Sequence, residues 1–134
     1  MPNYHLLDFK AFGDLRGSLV SLESQKNIPF DIQRIYYIYD TKRDVPRGAH
    51  AHRDLEQVLV CVNGSCKVKV DDGQMVGVFE LNTPEKGLYV GKMLWREMFD
   101  FSQGCVLLVL ASAHYHPEEY IRDYDDFLKE VSGL

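Results

Sequence analysis

Short apolar, β-branched and aromatic runs separated by polar turn residues fill most of this chain, the pattern of many short strands punctuated by turns. Tyr4–Phe9, Leu19–Glu23 and Ile32–Tyr39 read as strands, the last on its β-branched and aromatic content. Asp14–Ser18 reads as a turn, with Gly17 supplying backbone freedom. Lys26–Phe30 is expected to be a loop, because Pro29 cannot donate to a ladder. Asp40–Gly48 is polar and contains Pro46, and is expected to be a connection. Leu55–Val62 and Ser65–Val70 predict a hairpin around Asn63-Gly64, the pair favoured in a type I′ turn. Lys67 and Lys69 alternate with Val68 and Val70 in its second strand. Asp71-Asp72-Gly73 predicts the next turn, Gln74–Leu81 a strand with Gly77 at a bulge or close approach, and Thr83–Gly87 a loop. Met93–Phe101 and Cys105–Ala111 predict two further strands. After Pro117 the period changes. Tyr120, Ile121, Tyr124, Phe127, Leu128 and Val131 fall at helical spacing within Glu118–Val131, and acidic residues crowd the start, where they suit the helix dipole.

Many short strands punctuated by turns, with one terminal helix, predict an all-β fold, an antiparallel sandwich or barrel. The strand Leu55–Val62 is apolar on both faces. Val58, Val60 and Val62 are assigned to the barrel interior, so Leu59 and Cys61 need a second cover. A partner subunit is the expected cover, which predicts a homodimer; the C-terminal helix is the alternative.

The length of 134 residues fits one domain spanning 1–134. The net charge of −5 argues against a nucleic-acid binder, yet leaves room for an anionic small ligand held by a few arginines. No apolar run is long enough to span a bilayer, so no membrane association is expected. The N-terminal stretch Met1–His5 lacks the basic and apolar regions of a signal peptide, and a cytoplasmic location is expected. Cys61, Cys66 and Cys105 are an odd set without C-x-x-C spacing and read as reduced, buried thiols.

The candidate chemistry lies in Pro46–Glu56. On a strand, His50 and His52 point the same way, and an unbroken strand would add Glu56 to that wall. A pair of surface histidines at a strand entrance is the plain alternative. Two histidines and a carboxylate suit iron, manganese or zinc. The same imidazoles suit acid–base catalysis, because they exchange protons near neutral pH. Arg16, Arg34, Arg47 and Arg96 are candidates to neutralise an anionic substrate.

The spacing His50-x-His52-x-x-x-Glu56, followed by the glycine of the next turn, resembles the first signature of the cupin superfamily. That resemblance implies a jelly-roll barrel and, in many members, a metal held with a later histidine. Here Arg96 stands in the region of that later ligand, and a guanidinium repels a cation. A more specific resemblance rests on a series of blocks. They are Asp14–Leu19, Asn27–Phe30, Arg34–Ile38, Arg47–His52, Leu55–Cys66 and Tyr120–Tyr124. In this order they are similar to the dTDP-sugar 3,4-ketoisomerases, a cupin branch related to the dTDP-sugar epimerases. The resemblance implies conversion of dTDP-4-keto-6-deoxy-D-glucose to its 3-keto isomer through an enediolate, towards 3-amino-3,6-dideoxyhexoses of surface glycans. It implies a dimer with N-terminal strand exchange, and no cofactor or required metal. By the family motif His50 is the base and His52 its partner in proton handling. Tyr37 and Arg47 are expected to hydrogen-bond the sugar or phosphates, with Arg16, Arg34, Arg96 and Glu56 as further substrate-side candidates. A metal-dependent cupin enzyme and a non-catalytic nucleotide-sugar-binding cupin are the competing readings.

Overall fold

The computed structural model describes residues 3–133. Met1, Pro2 and Leu134, which belong to the stretch read for a signal peptide and to the expected domain bounds, lie outside the described residues. Twelve strands run in order: β1 (Tyr4–Asp8), β2 (Ala11–Asp14), β3 (Gly17–Val20), β4 (Arg34–Ile38), β5 (Arg47–His52), β6 (Gln57–Asn63), β7 (Cys66–Asp71), β8 (Val76–Leu81), β9 (Lys86–Val90), β10 (Trp95–Phe99), β11 (Val106–Ala111) and β12 (Tyr120–Ile121). Helix α1 (Tyr124–Ser132) follows.

The ladders pair β4 with β11, β5 with β10, β6 with β9 and β7 with β8. This is one long hairpin of strand pairs rolled over itself, the jelly roll. It forms two five-stranded sheets, β1-β9-β6-β11-β4 and β12-β5-β10-β7-β8, with the hairpin β2–β3 standing apart. The all-β, cupin-type expectation therefore holds, with its C-terminal helix.

The sequence reading of β6 is inverted. Leu59 and Cys61 face the interior, where they meet Val68 and Val70 of the opposite sheet and Leu107 and Val109 of β11. Val58 and Val60 lie on the outer face under Phe9, Ile28 and Phe30. Alternation divides the strand into two faces, but both are apolar, so their assignment needed the partner elements. The cover comes in part from the chain's own N-terminal segment. All three cysteines are free and buried, as expected.

Asn63-Gly64 is not a type I′ hairpin. β6 and β7 belong to different sheets, and Gly64 has φ 75° while Asn63 is not among the positive-φ residues. The dipeptide turns a corner between sheets. Asn63 Nδ2 donates to Gly104 O at 2.7 Å, and Ser102 Oγ accepts from Ser65 N at 2.8 Å. Strand β9 replaces part of an expected loop. Its Gly87 leaves room for Phe9, whose ring carbons would lie 2.8 Å from an added Cβ.

The helix starts later than its periodicity suggests. Pro117–Glu119 forms a 3-10 turn, and Tyr120 and Ile121 pair with His52 and Ala51 of β5. Asp123 then caps α1, its carboxylate accepting from Asp126 N at 3.0 Å, and Phe127 buries against Trp95, Ala51 and Ile121. Tyr120 and Ile121 match the helical period only because their strand also presents one buried side chain.

Gly64 offers a direct check of the sheet corner. An added Cβ would run into Ser102 Oγ and sit 3.1 Å from Cys105 Cα, in a left-handed backbone. Gly64→Ala is expected to lower stability by about 1–3 kcal/mol in urea unfolding, with an unchanged m-value. Gly104→Ala, at the same φ but with its nearest atom at 3.6 Å, is expected to lower it less.

Candidate active site

Strand β5 carries the histidines into a cavity at one end of the sandwich. It pairs with β10 on one side, Arg96 opposite His50, and with β12 on the other, Tyr120 opposite His52. The far wall is β4, whose Arg34, Tyr36 and Ile38 turn inward while Ile35 and Tyr37 are exposed. The cavity measures about 670 Å³ and is lined by His50, Arg34, Tyr36, Tyr37, Arg47, Tyr115, Tyr120 and Arg122, among others. Three guanidinium groups and five phenols, Tyr39 among them, thus surround one imidazole.

His52 sits behind His50, only 1% exposed. The two rings meet edge to face with centroids 4.7 Å apart, and the Tyr120 ring lies 4.9 Å from His50 and 4.3 Å from His52. Neither His52 nitrogen has a hydrogen-bond partner. At the rim, the Arg122 guanidinium lies 4.3 Å from the Tyr120 ring centre, and Arg34 stacks 5.1 Å from Tyr36.

Beneath the histidines lies Arg96, 1% exposed. Its Nε and Nη2 donate to Leu94 O at 3.3 and 3.1 Å, and its Nη1 donates to Gln57 Oε1. Gln57 Nε2 donates to the Tyr36 hydroxyl at 3.1 Å. Burial pushes Arg96 down to about 10, so it is still charged at neutral pH. Burial also raises Tyr36, which stays a phenol.

This setting holds both imidazoles neutral. Burial and then Arg96 and Arg122 push His50 down to about 3. Burial, Arg96, His50 and the flanking arginines push His52 down to about 2. Each ring therefore has a free lone pair at pH 7.

The candidates separate into three groups. His50, Arg34, Arg47 and Tyr37 line the cavity, with Tyr37 on the outer rim at 62% exposure; His52 and Arg96 form the layer beneath. Glu56 does not join the histidine wall. The chain turns between His52 and Gln57 to change sheets, and Glu56 accepts a 2.5 Å hydrogen bond from the Tyr89 hydroxyl. Arg16 stands at the tip of the β2–β3 hairpin, its side chain 90% exposed and ion-paired with Asp14 at 2.5 Å. It does not reach the cavity of its own chain.

Sequence reasoning missed Tyr36, Gln57, Tyr115, Tyr120 and Arg122. Strand alternation offered a signal for Tyr36, because it shares a face with Arg34. The rest depend on which strands meet. Among the described residues, the one group of three side chains that converge as metal ligands is Cys61, Cys66 and Cys105, inside the core and away from the histidines. With Glu56 turned to Tyr89 and Arg96 under the rings, His50 and His52 have no third anionic or imidazole ligand beside them.

An antiparallel jelly roll whose neutral histidines lie beside an arginine-lined cavity has the architecture of a cupin with a site able to exchange protons and to receive an anion. The chain belongs to the family described as FdtA: WxcM-like, C-terminal, whose model matches residues 2–132. It is 55% identical over 96% of its length, and 93% of the other protein's, to a TDP-4-oxo-6-deoxy-alpha-D-glucose-3,4-oxoisomerase of Aneurinibacillus thermoaerophilus. A 3,4-ketoisomerase from Helicobacter canadensis superposes with a TM-score of 0.95 at 57% identity, covering 97% of this chain and 98% of that one. A histidine-to-asparagine mutant of the 3,4-ketoisomerase QdtA from Thermoanaerobacterium thermosaccharolyticum, in complex with TDP-4-keto-6-deoxyglucose, superposes with a TM-score of 0.96 at 46% identity. That match covers 99% of this chain and 96% of that one.

The neutral histidine pair predicts an acid-sensitive fold. The folded-state values of about 3 and about 2 lie below the ordinary 6.5, so the unfolded chain takes up protons first as pH falls. Their contribution to stability is complete above pH 6.5 and is lost progressively below it. Between pH 6.5 and 5, with most carboxylates still ionised, the pair is expected to remove up to about 3 kcal/mol. The check is urea unfolding across that window, where the double variant His50→Asn/His52→Asn should show a flatter profile.

Proposed function

We propose that this protein is a sugar-nucleotide 3,4-ketoisomerase that converts TDP-4-keto-6-deoxyglucose to its 3-keto isomer. The observation that carries the reading is a neutral imidazole, His50, at the wall of a cavity rimmed by Arg34, Arg47 and Arg122. The names of the similar proteins support the substrate.

The C3 proton of the substrate lies α to the C4 ketone and is therefore acidic. The lone pair of His50 takes that proton, and the C3–H electrons form the C3–C4 double bond of an enediolate. Charge collects on the former keto oxygen. The Tyr36 hydroxyl, at the cavity wall and accepting from Gln57 Nε2, keeps its own hydrogen to donate to that oxygen. The C3 hydroxyl proton passes to the C4 oxygen, so the negative charge moves to O3; its electrons form the C3 ketone while those of the C3–C4 double bond take up the proton held by His50 at C4. His52, edge-on to His50, handles protons with it. Burial and Arg96 do most to hold the imidazoles down, and Arg122 at the rim adds to them; a diphosphate that pairs with Arg122 relieves that part and raises His50 in the direction of an effective base. No cofactor enters this sequence. The 3-keto product suits an amination at C3, the chemistry of 3-amino-3,6-dideoxyhexose formation for surface polysaccharides. A cytoplasmic location fits that role.

The working form proposed is a homodimer. The β2–β3 hairpin exposes Phe12, Leu15 and Leu19, beside a groove of about 270 Å³ lined by Val20, Leu22, Val60, Val62 and Leu108, among others. Burying this apolar surface against a second copy removes it from water. Arg16, at the hairpin tip, then lies at the interface.

Two outcomes test the reading. Wild-type protein is expected to isomerise TDP-4-keto-6-deoxyglucose, with incorporation of solvent deuterium or transfer of the C3 proton to C4 seen by NMR, in the presence of a chelator. His50→Asn should lose about 10²–10⁴-fold in rate while still binding TDP. Chelator-sensitive turnover would favour the metal-dependent cupin, and binding without turnover the non-catalytic one. Sedimentation at micromolar concentration should give twice the chain mass, and Leu15→Asp combined with Leu19→Asp should shift it towards the monomer.

A further inference from the structure

Gln57 opens β6 at the floor of the cavity, 2% exposed, and the reaction above gives it no task. Its neighbours tell its two amide ends apart. Arg96 can only donate, so the end that faces Arg96 Nη1 is the oxygen. The amino end therefore faces the Tyr36 hydroxyl oxygen, 3.1 Å away. Arg96 is itself held, because two of its nitrogens donate to Leu94 O.

The direction of these bonds has a consequence for Tyr36. Gln57 donates, so the phenol oxygen accepts, and its own hydrogen is left free. Tyr36 lines the cavity on the wall facing His50. We infer that Gln57 is a positioning residue: Arg96 sets which way its amide faces, and that amide turns the Tyr36 hydroxyl hydrogen into the cavity, towards the keto oxygen of the bound sugar. This rests on the ketoisomerase reading.

The chain of bonds also polarises the phenol. A guanidinium pulls on the amide oxygen, the amide N–H becomes a stronger donor, and the phenol in turn donates more strongly. Positive charge buried under the site thus reaches the developing enediolate through two neutral groups. Arg96 acts here through Gln57, which gives its burial a chemical purpose. A metal in a related site would supply such charge directly; here a relay of side chains supplies it.

Gln57→Glu tests this at constant size. The carboxylate still accepts from Arg96, so the buried guanidinium keeps its partner. Towards Tyr36 it offers an acceptor instead of a donor, and the hydroxyl hydrogen must turn away from the cavity. The expected result is a kcat lower by about 100-fold, with KM and TDP affinity within about threefold of wild type. Tyr36→Phe should cost a similar factor, and the double variant no more than the worse single one. A second reading comes from tyrosine ring-carbon NMR without substrate, the Tyr36 signal being the one absent in Tyr36→Phe. Its titration should move to higher pH in Gln57→Glu, because the phenol then donates to a carboxylate.

If Gln57→Glu fails to fold, Gln57→Leu with Arg96→Met removes both polar partners together and should lower kcat in the same way. Wild-type kcat in either variant, or an unmoved Tyr36 titration in Gln57→Glu, would overturn the inference. Failure of the wild-type protein to isomerise TDP-4-keto-6-deoxyglucose would instead remove the reading of function, and the Tyr36 titration would still decide the direction of the hydroxyl.

Discussion

Arg96 carries a full positive charge in a place that water does not reach. A buried guanidinium is tolerated only where its N–H groups find acceptors. Those acceptors are the Leu94 carbonyl, set by the turn into β10, and the Gln57 side chain, set by the first residue of β6. Satisfying this one group ties together two strands from opposite sheets at the floor of the cavity. It also adds to the burial that keeps the imidazoles above it neutral. His50 lies opposite Arg96 in the ladder, and burial together with that proximity keeps both imidazoles neutral.

Neutrality is what the proposed chemistry requires of the resting site. An imidazolium has no lone pair and could not remove a carbon-bound proton. Imidazoles held far below their usual range are weak bases, however, and Arg122, which adds to the effect of burial and Arg96 on both rings, is a group a diphosphate would neutralise. Ligand recognition and base strength are therefore coupled through Arg122. A neutral sugar would leave the arginine field in place, whereas an anionic nucleotide sugar relieves it. The unpartnered nitrogens of His52 fit the same picture, since a proton carrier must keep at least one position open.

The jelly roll explains why these groups meet. Rolling a long hairpin brings β4 against β11 and β5 against β10, so residues as distant in sequence as Arg34, Met98 and Arg122 line one cavity. Beyond the roll, β12 closes the histidine edge and α1 packs Phe127 under Trp95 to hold it. The β2–β3 hairpin is the part the sandwich does not bury. Its exposed apolar residues are the reason the proposed homodimer has an interface to form.

The sequence by itself determined the strand-rich class, the C-terminal helix and the histidine pair. All three are local: period, turn residues and a two-residue spacing are read within a single element. His50 and His52 needed only alternation to share a face. Tyr36 was equally legible, on the face of Arg34. Glu56 was misplaced because the chain leaves one sheet for the other between His52 and Gln57, and nothing in Arg53-Asp54-Leu55 distinguishes a sheet change from a continuing strand. The faces of β6 were inverted for a related reason. Valine, leucine and cysteine are equally content inside the sandwich or under Phe9 and Phe30, and only the position of the opposing sheet chooses between them. Asn63-Gly64 announced a turn correctly, but the two strands it joins separate into different sheets because each finds better-matched partners elsewhere. The tertiary structure alone decided that Arg96 lies beneath the histidines, that Gln57 links it to Tyr36, and that Tyr120 closes the wall, since each contact joins strands far apart in sequence and exists only once the sheet is rolled.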